Sequence, residues 1–145
     1  MTWPKELGAT HVVNSRETDP VAAAQEITGG GADFTLESSG RPDVLRQAVD
    51  ALGIRGTCGI VGAPKVGTEA AFDVNAVMLP GKRIMGIVEG DSVPQVIIPH
   101  LVELFLQGRF PFDKLVKFYP LEEINRAIAD SEKGTTIKPV LRLAA

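Results

Sequence analysis

The residues best suited to chemistry lie where two predicted strands end, within residues 32–64. The first predicted strand, residues 32–37, runs through two serines into Gly40, and the second, residues 56–61, leads to Gly62. Small residues at the carboxyl ends of parallel strands suit a bound nucleotide, because ligands of open α/β sheets lie in the crevice there. The alternative is an ordinary crossover whose glycines only turn the chain, and these residues alone favour the two interpretations equally.

A helix must connect these strands and set their spacing. Apolar residues between Val44 and Leu52 recur at intervals of three and four, which predicts a helix over residues 42–52. Strands and helices alternate along the rest of the chain, so the fold class is α/β with a mostly parallel sheet, and the last strand–helix–strand could belong to another layer. The other predicted strands cover residues 10–14, 83–90, 115–118 and 137–143, and the other predicted helices cover residues 20–28, 93–107 and 120–130.

Local signals fix several ends of these elements. Asp-Pro at residues 19–20 is suited to cap and begin one helix, and Asp-Ser at residues 91–92 is suited to cap another. Pro99 is expected to kink or divide the helix that contains it. The glycines at residues 29–31 follow a helix and precede a strand, the reverse of the order in a phosphate-binding loop, so they predict a plain turn.

Composition excludes several classes of function. The chain has 145 residues, 44% of them hydrophobic, and a formal net charge of −3, without a basic run for nucleic acid or an anionic membrane. Cys58 is the only cysteine and the only histidines are His11 and His100, so there are too few of these ligands for a standard structural zinc site. There is neither a membrane-length apolar run nor a signal-peptide core, so a cytoplasmic location is expected.

Five stretches carry a family resemblance through their order and spacing. They are residues 5–14 (KELGATHVVN), 31–40 (GADFTLESSG), 108–115 (GRFPFDKL), 120–127 (PLEEINRA) and 137–141 (IKPVL). Together they resemble the C-terminal, cofactor-domain part of the medium-chain zinc-dependent alcohol dehydrogenases, particularly the aryl-alcohol (benzyl-alcohol) type.

The resemblance implies an incomplete fold. Residues 5–110 would be a partial dinucleotide-binding domain of Rossmann type that lacks its first two strands. Residues 111–145 would be the C-terminal segment that packs on the catalytic domain in the family. In the family strand order 3-2-1-4-5-6, residues 10–14 would be the third strand and residues 32–37 the fourth, with the two missing strands between them. Two strand edges would be left unpaired, and there are three possible outcomes: the third and fourth strands close up directly, another chain fills the gap, or the N-terminal segment is reorganised.

The resemblance also implies the cofactor-binding residues. Ser38, Ser39, Gly40 and Arg41 would lie near the adenosine, Val61, Gly62 and Ala63 near the nicotinamide, Ile87, Val88 and Glu89 on the nicotinamide side, and Lys138 on the pyrophosphate. Each has a simpler structural explanation: the glycines could serve as turns, Lys138 as a surface charge, and Arg41 as a residue at a helix start.

The family's catalytic parts match nothing in these residues. The zinc ligands, the proton relay, the glycine-rich turn and the ribose-binding acid would belong to upstream sequence, so no catalytic or metal-binding residue is assigned here. NAD is the expected cofactor and NADP stays open, because the acid that discriminates between them is not in this sequence. Alone, the chain is expected to be inactive and to bind the dinucleotide weakly or not at all.

Two other functions remain open from the sequence. The chain could be a truncated, non-catalytic dimerisation or binding module, or part of a zinc-free medium-chain reductase; the aryl-alcohol-like residues 108–115 favour the zinc branch. The stretch that begins at Phe72 and ends at Glu89 resembles the family's dimer-forming segment, which predicts a homo-oligomer.

Overall fold

The computed structural model describes residues 3–143, which form two compact units that meet in sequence between Ser92 and Val93. The predicted α/β class with a partial Rossmann-type parallel sheet is confirmed. The predicted division into residues 5–110 and 111–145 concerns the family's domains and stays a prediction. The helices are α1 Trp3–Glu6, α2 Pro20–Thr28, α3 Pro42–Asp50, α4 Val74–Met78, α5 Pro94–Leu106 and α6 Ile124–Glu132, and the strands are β1 Ala32–Glu37, β2 Leu52–Ile60, β3 Arg83–Gly86, β4 Val116–Pro120 and β5 Lys138–Arg142.

The first unit is built on a parallel sheet of three strands in the order β1-β2-β3. Helix α3 connects β1 to β2 and covers one face of the sheet, where Val49, Leu52 and Cys58 form the buried cluster. The Thr35 hydroxyl donates to the Ala48 carbonyl at 3.0 Å, which ties β1 to this helix. The strands therefore present their carboxyl ends at one edge, as the sequence predicts for a nucleotide-binding unit.

The boundary between α3 and β2 differs from the prediction. Leu52 lies within the predicted helix, but it is the first residue of β2 and only 3% exposed. The pairing register jumps from Ala32 opposite Leu52 to Phe34 opposite Thr57, so β2 contains a bulge in which Arg55 takes a positive φ of 61°. Leu52 is buried in either assignment, and its helical spacing to Val49 could not reveal that the chain had already turned.

The predicted strand at residues 10–14 is wrong. These residues form no strand, although Val12 and Val13 favour extended structure, because a strand requires a hydrogen-bonded neighbour and none of the described residues supplies one. Consequently β1 pairs only with β2 in this unit, and direct closure of the predicted third strand onto it does not occur. Before this segment, Gly8 ends the first helical turn at a φ of 105°.

The capping signal for α2 is confirmed, whereas the next one along the chain is wrong. The Asp19 carboxylate accepts from the Val21 amide at 3.0 Å, and Pro20 is the first residue of the helix. At α5, the N-cap position is occupied by Val93, and the Ser92 hydroxyl donates instead to the Glu89 carbonyl at 2.7 Å. Residues 91–92 therefore finish the preceding turn and do not begin the helix.

Strand β3 is shorter than predicted. It ends at Gly86 and is followed by a short 3-10 turn, Glu89–Asp91, instead of continuing to residue 90. Three consecutive residues of that turn have positive φ values: Glu89 at 49°, Gly90 at 69° and Asp91 at 50°. The pairing of β3 with β2 ends at Gly86, so Val88, although its backbone is extended, and Glu89 lie beyond the sheet.

The second unit contains α5, α6 and a parallel pair of strands, β4 and β5. Pro99 lies inside α5 without dividing it, since the helix is assigned continuously over Pro94–Leu106. The Tyr119 hydroxyl, buried between β4 and α6, contacts the Asp130 carboxylate at 2.8 Å and the Thr136 hydroxyl at 2.7 Å. The predicted final strand–helix–strand thus forms a separate two-stranded sheet.

Candidate functional site

Two loops meet at the carboxyl ends of β1 and β2. One loop contains residues 38–41 and the other residues 61–63. The Glu37 carbonyl, at the end of β1, accepts from the Val61 amide at 2.9 Å and from the Gly62 amide at 3.0 Å. This pairing extends the parallel ladder by one step and brings the second loop against the first, so two groups of predicted cofactor-binding residues become neighbours.

Glycine is required at two positions in this contact. A Cβ atom on Gly62 would lie 2.2 Å from the Gly40 amide nitrogen and 2.5 Å from a carboxylate oxygen of Glu37, which leaves no room for any side chain. Gly40 has a φ of 70°, and a Cβ there would lie 3.2 Å from the Ala63 carbonyl. Gly62 is thus needed for a close approach of two backbones, whereas Gly40 has the positive φ of a turn residue.

A buried carboxylate organises the first loop. Glu37 is 2% exposed, and its Oε1 accepts from the Ser39 amide at 2.6 Å, the Ser39 hydroxyl at 2.5 Å and the Gly40 amide at 3.0 Å. The Ser39 hydroxyl, followed by the backbone amides of the loop, lowers the pKa of Glu37 below the ordinary 4.5 despite the opposing effect of burial. Three donors on one oxygen hold the carboxylate in its ionised form.

Sequence reasoning did not select Glu37 as a site residue. The strand pattern carried a signal, because Thr35 and Glu37 share one side of β1, and Thr35 bonds to α3 on the packed face of the sheet. A glutamate on the covered side of β1, just before Ser-Ser-Gly, lies within hydrogen-bonding distance of the loop amides. These amides can donate to its buried carboxylate. Recognising it would have required knowing which side of β1 is covered.

Arg41 lies at the outer end of the first loop and immediately precedes α3. Its guanidinium pairs with the Asp43 carboxylate through Nε at 3.1 Å and Nη2 at 2.6 Å, and both side chains are exposed. The bidentate bond raises the pKa of Arg41 and lowers that of Asp43. Arg41 is the N-cap residue of α3, but its side chain forms no capping hydrogen bond. Its guanidinium group is instead held by Asp43 at the rim of the crevice.

The exposed groups around the two loops define what the site can bind. Ser38, Arg41, Val61 and Ala63 are exposed, whereas Gly40 and Gly62 are half-buried between them. Beside the loops lies a small cavity of about 50 Å³ that includes Leu45, Pro64 and Thr68 in its lining. The result is a glycine-floored crevice with hydroxyl and guanidinium groups at its rim.

Residues 87–89, the third predicted group of cofactor-binding residues, are only partly joined to the other two groups. The Ile87 amide donates to the Ile60 carbonyl at 2.9 Å, and the Ile87 side chain covers Gly59, where a Cβ would lie 2.7 Å from its Cδ1. Val88 is 77% exposed and Glu89 lies in the left-handed turn. Ile87 therefore continues the sheet, while the two following residues leave it.

Lys138, the last predicted residue, begins β5 in the second unit and is exposed there. Its predicted contact with a pyrophosphate stays a prediction.

No described residues form a group of three or more His, Cys, Asp or Glu side chains able to hold a metal ion. The donor set of residues 3–143 therefore does not fit zinc, and no chemical step is assigned to a metal in this chain. None of the helices among these residues is long and apolar enough to cross a membrane.

The parallel sheet with its crossover helix is a partial Rossmann-type fold with a crevice at the carboxyl ends of its strands. A family model described as zinc-binding dehydrogenase matches residues 2–107 of the sequence. The chain therefore belongs to the zinc-binding dehydrogenase family.

Individual relatives agree with this assignment. Geraniol dehydrogenase from Castellaniella defragrans is 38% identical over 137 residues, which are 94% of this chain and 37% of that enzyme. A crystal structure of an alcohol dehydrogenase zinc-binding domain protein from Burkholderia ambifaria is 65% identical, with a TM-score of 0.94 over 99% of this chain and 39% of the other. Benzyl alcohol dehydrogenase from Acinetobacter calcoaceticus is 58% identical, with a TM-score of 0.94 over 98% of this chain and 39% of that enzyme.

These relatives confirm the resemblance to medium-chain zinc-dependent alcohol dehydrogenases of the benzyl-alcohol type that the sequence motifs predicted. The chain spans less than two fifths of the length of each of these three proteins. What the whole relatives bind and convert therefore bears on this chain only as a proposal.

Proposed function

We propose that this chain is the cofactor-binding part of an NAD-dependent alcohol dehydrogenase that acts on aryl alcohols. The observation that carries the proposal is the crevice between residues 38–41 and residues 61–63, whose floor admits no side chain at Gly62. Backbones that approach so closely at the carboxyl ends of parallel strands create the kind of crevice in which ligands of such sheets lie. The benzyl alcohol dehydrogenase relative supports the aryl preference.

The chain's own residues have binding roles in this proposal. Residues 38–41 contact the adenosine end of the dinucleotide, and the backbone groups of residues 61–63, together with residues 87–89, contact its nicotinamide end. When bound, the nicotinamide supplies the hydride acceptor for the alcohol carbon, and the protein supplies its position. None of these residues is assigned a proton-transfer or nucleophilic role.

On this account the chain by itself binds the dinucleotide weakly and does not oxidise alcohols. Titration of the purified chain with NADH, followed by nicotinamide fluorescence, tests the first statement, and an assay of NAD reduction with benzyl alcohol tests the second. We expect weak but saturable binding and no NADH formation. Benzyl-alcohol-dependent reduction of NAD by the 145-residue chain would contradict the proposed inactivity.

A second candidate function, a dimerisation or binding module, is favoured by the uncovered face of the sheet. Phe34 is 80% exposed, Leu36 63% and Met85 49%, all on the side of the sheet opposite α3. Apolar side chains grouped on one sheet face are typical of a surface that another chain or segment covers. Edge strand β3 lies within residues 72–89, the stretch assigned to dimer formation.

Size-exclusion chromatography with light scattering separates the two candidates when it is combined with the NADH titration. A self-associating chain that leaves NADH fluorescence unchanged at millimolar concentrations would favour the module. Phe34→Thr is a suitable variant and Ile54→Thr its matched control, because both side chains are 80% exposed but Ile54 lies in the bulge of β2. If association depends on the open face, only Phe34→Thr weakens it.

A further inference from the structure

Glu37 is the least exposed ionisable side chain at the candidate site, and it forms no ion pair. None of the four ion pairs between described residues includes it. The nearest cation at the rim, Arg41, is engaged with Asp43, and the other carboxylate that lines the small cavity is Glu69. The charge of Glu37 is therefore compensated by neutral donors of the loop that follows it.

The carboxylate occupies a position that an external anion could otherwise take. Successive amides of Ser39 and Gly40 point at it, and Gly40 has the left-handed φ of 70° that lets neighbouring amides converge. Such converging amides form anion-binding concavities in other proteins. Here the anion is part of the chain, so the loop is already ordered without a bound phosphate.

The same residue also holds the second loop. Its carbonyl accepts from the Val61 and Gly62 amides, and its Oε2 lies on the side of Gly62 where a Cβ would be only 2.5 Å away. One residue thus contacts both loops, through its backbone on one side and through its carboxylate on the other. A change at its side chain should alter the relative position of the loops without removing any exposed group.

We propose that Glu37 is a positioning residue of the dinucleotide site, whose carboxylate holds residues 38–41 against residues 61–63 in the geometry that receives the cofactor. This inference rests on the proposed function. It assigns the cofactor's phosphates to other parts of the site, because the amides at the end of β1 are already occupied. Glu37 acts through the loops and does not itself touch the dinucleotide.

Glu37→Gln tests the proposal, with Val49→Ala as the control matched for loss of stability. Glutamine keeps one acceptor oxygen but has no charge, so its bonds to the loop amides and the Ser39 hydroxyl should be weaker. Its NH2 group also cannot accept from the Gly40 amide, as Oε2 does at 3.2 Å. We expect hydrogen exchange at the Ser39, Gly40 and Gly62 amides to become about tenfold faster in Glu37→Gln. In Val49→Ala, which removes volume from the buried cluster, local exchange at these amides should stay unchanged.

A second measurement uses the unmodified chain and does not depend on whether the variant folds. During an acid titration followed by NMR, the amide proton shifts of Ser39 and Gly40 should change together with the side-chain carboxyl carbon of Glu37. Two results would overturn the proposal. One is that the amide proton shifts do not change as Glu37 titrates, and the other is that the hydrogen-exchange rates of the loop amides are unchanged in Glu37→Gln.

NADH binding measured on the same samples separates this inference from the proposed function. Faster loop exchange together with at least fivefold weaker NADH binding in Glu37→Gln supports both. Faster loop exchange in a chain whose loops do not respond to NADH at all contradicts the proposed function, while the role of Glu37 in ordering the loops is upheld. Unchanged affinity despite faster exchange would overturn the positioning role.

Discussion

The loops after β1 and β2 and the turn after β3 leave the same end of one sheet, yet they are held in different ways. The first two meet through Glu37, whose side chain is 2% exposed, and through Gly62, where no Cβ fits. The turn at Glu89–Asp91 has a left-handed backbone and exposed side chains. Its internal bonds are those of the Asp91 amide to the Val88 carbonyl and the Ser92 hydroxyl to the Glu89 carbonyl.

Residues 38–41 and 61–63 are therefore a preformed part of the candidate site. The segment after β3 is held by fewer buried contacts, so its conformation is less well determined. Buried hydrogen bonds to a charged group resist local opening, whereas exposed segments with few buried contacts open at little cost. Residues 38–41 and residues 61–63 should therefore be rigid before a ligand binds. The Val88–Glu89 side should be the more mobile one.

The largest effect is expected from Gly62→Ala. The added methyl would overlap the Gly40 amide at 2.2 Å, so the two loops must separate and Glu37 must lose part of its environment. We expect the free energy of unfolding to fall by about 3 kcal/mol, the upper range for overpacking. Chemical denaturation followed by circular dichroism measures it. Gly86→Ala is the control, because nothing lies within 4 Å of a Cβ there, and a change of less than about 0.5 kcal/mol is expected for it.

Loss of the Glu37 charge should come next, with a cost of about 2 kcal/mol for Glu37→Gln near neutral pH. Because the folded state lowers the pKa of Glu37 below 4.5, its ionisation stabilises the fold fully above that pH. The contribution is lost as the pH falls through the lowered folded value. Stability curves of the native chain and Glu37→Gln should therefore approach each other as the pH falls below 4.5. Parallel curves over that range would show that the charge is not held by the loop.

A smaller effect of opposite sign is expected in the turn after β3. Glu89 has a φ of 49°, a backbone conformation that disfavours residues with a Cβ, so Glu89→Gly should relieve strain. The gain is partly offset by the greater freedom of glycine in the unfolded chain, which leaves an increase of about 0.5 kcal/mol in the free energy of unfolding. Glu17→Gly, at an exposed position without positive φ, should instead decrease stability. A decrease in both variants would show that the turn is not strained.

The smallest effect is expected from Val88→Ala. Val88 is 77% exposed, so truncating it should change the free energy of unfolding by less than about 0.5 kcal/mol. Thermal denaturation measures this change. A larger loss would mean that the segment after β3 is packed as firmly as the loops after β1 and β2, and the contrast between the two regions would no longer hold.

The elements around β1 and β2 could be predicted because local chemistry and tertiary packing agree there. The alternation in residues 32–37 and the helical spacing after Pro42 correspond to β1 and α3, and Asp19 caps α2 as its residue type suggests. Residues 10–14 show the opposite case. Their β-branched side chains favour a strand, but extended backbone becomes a strand only beside a partner, and partner choice is a property of the whole fold.

The position of the candidate site could be predicted from the sequence, but the side chain that holds its two loops together could not. Small residues after two parallel strands indicated the crevice, and the structure brings Gly40 and Gly62 together there. The importance of Glu37 could not be inferred in the same way, because a carboxylate at a strand end is usually exposed. Only the three-dimensional approach of the two loops shows that this one is buried and satisfied by their donors.

The most direct test of the central claim is an NMR titration of the chain with NADH up to millimolar concentrations. The account predicts saturable changes in the backbone amide signals of residues 38–41 and 61–63, with smaller changes at residues 87–89. Signals of the exposed face around Phe34 should remain unchanged. Absence of saturable changes in the two loops, or changes centred on the open face of the sheet, would contradict the assignment of this crevice as the dinucleotide site.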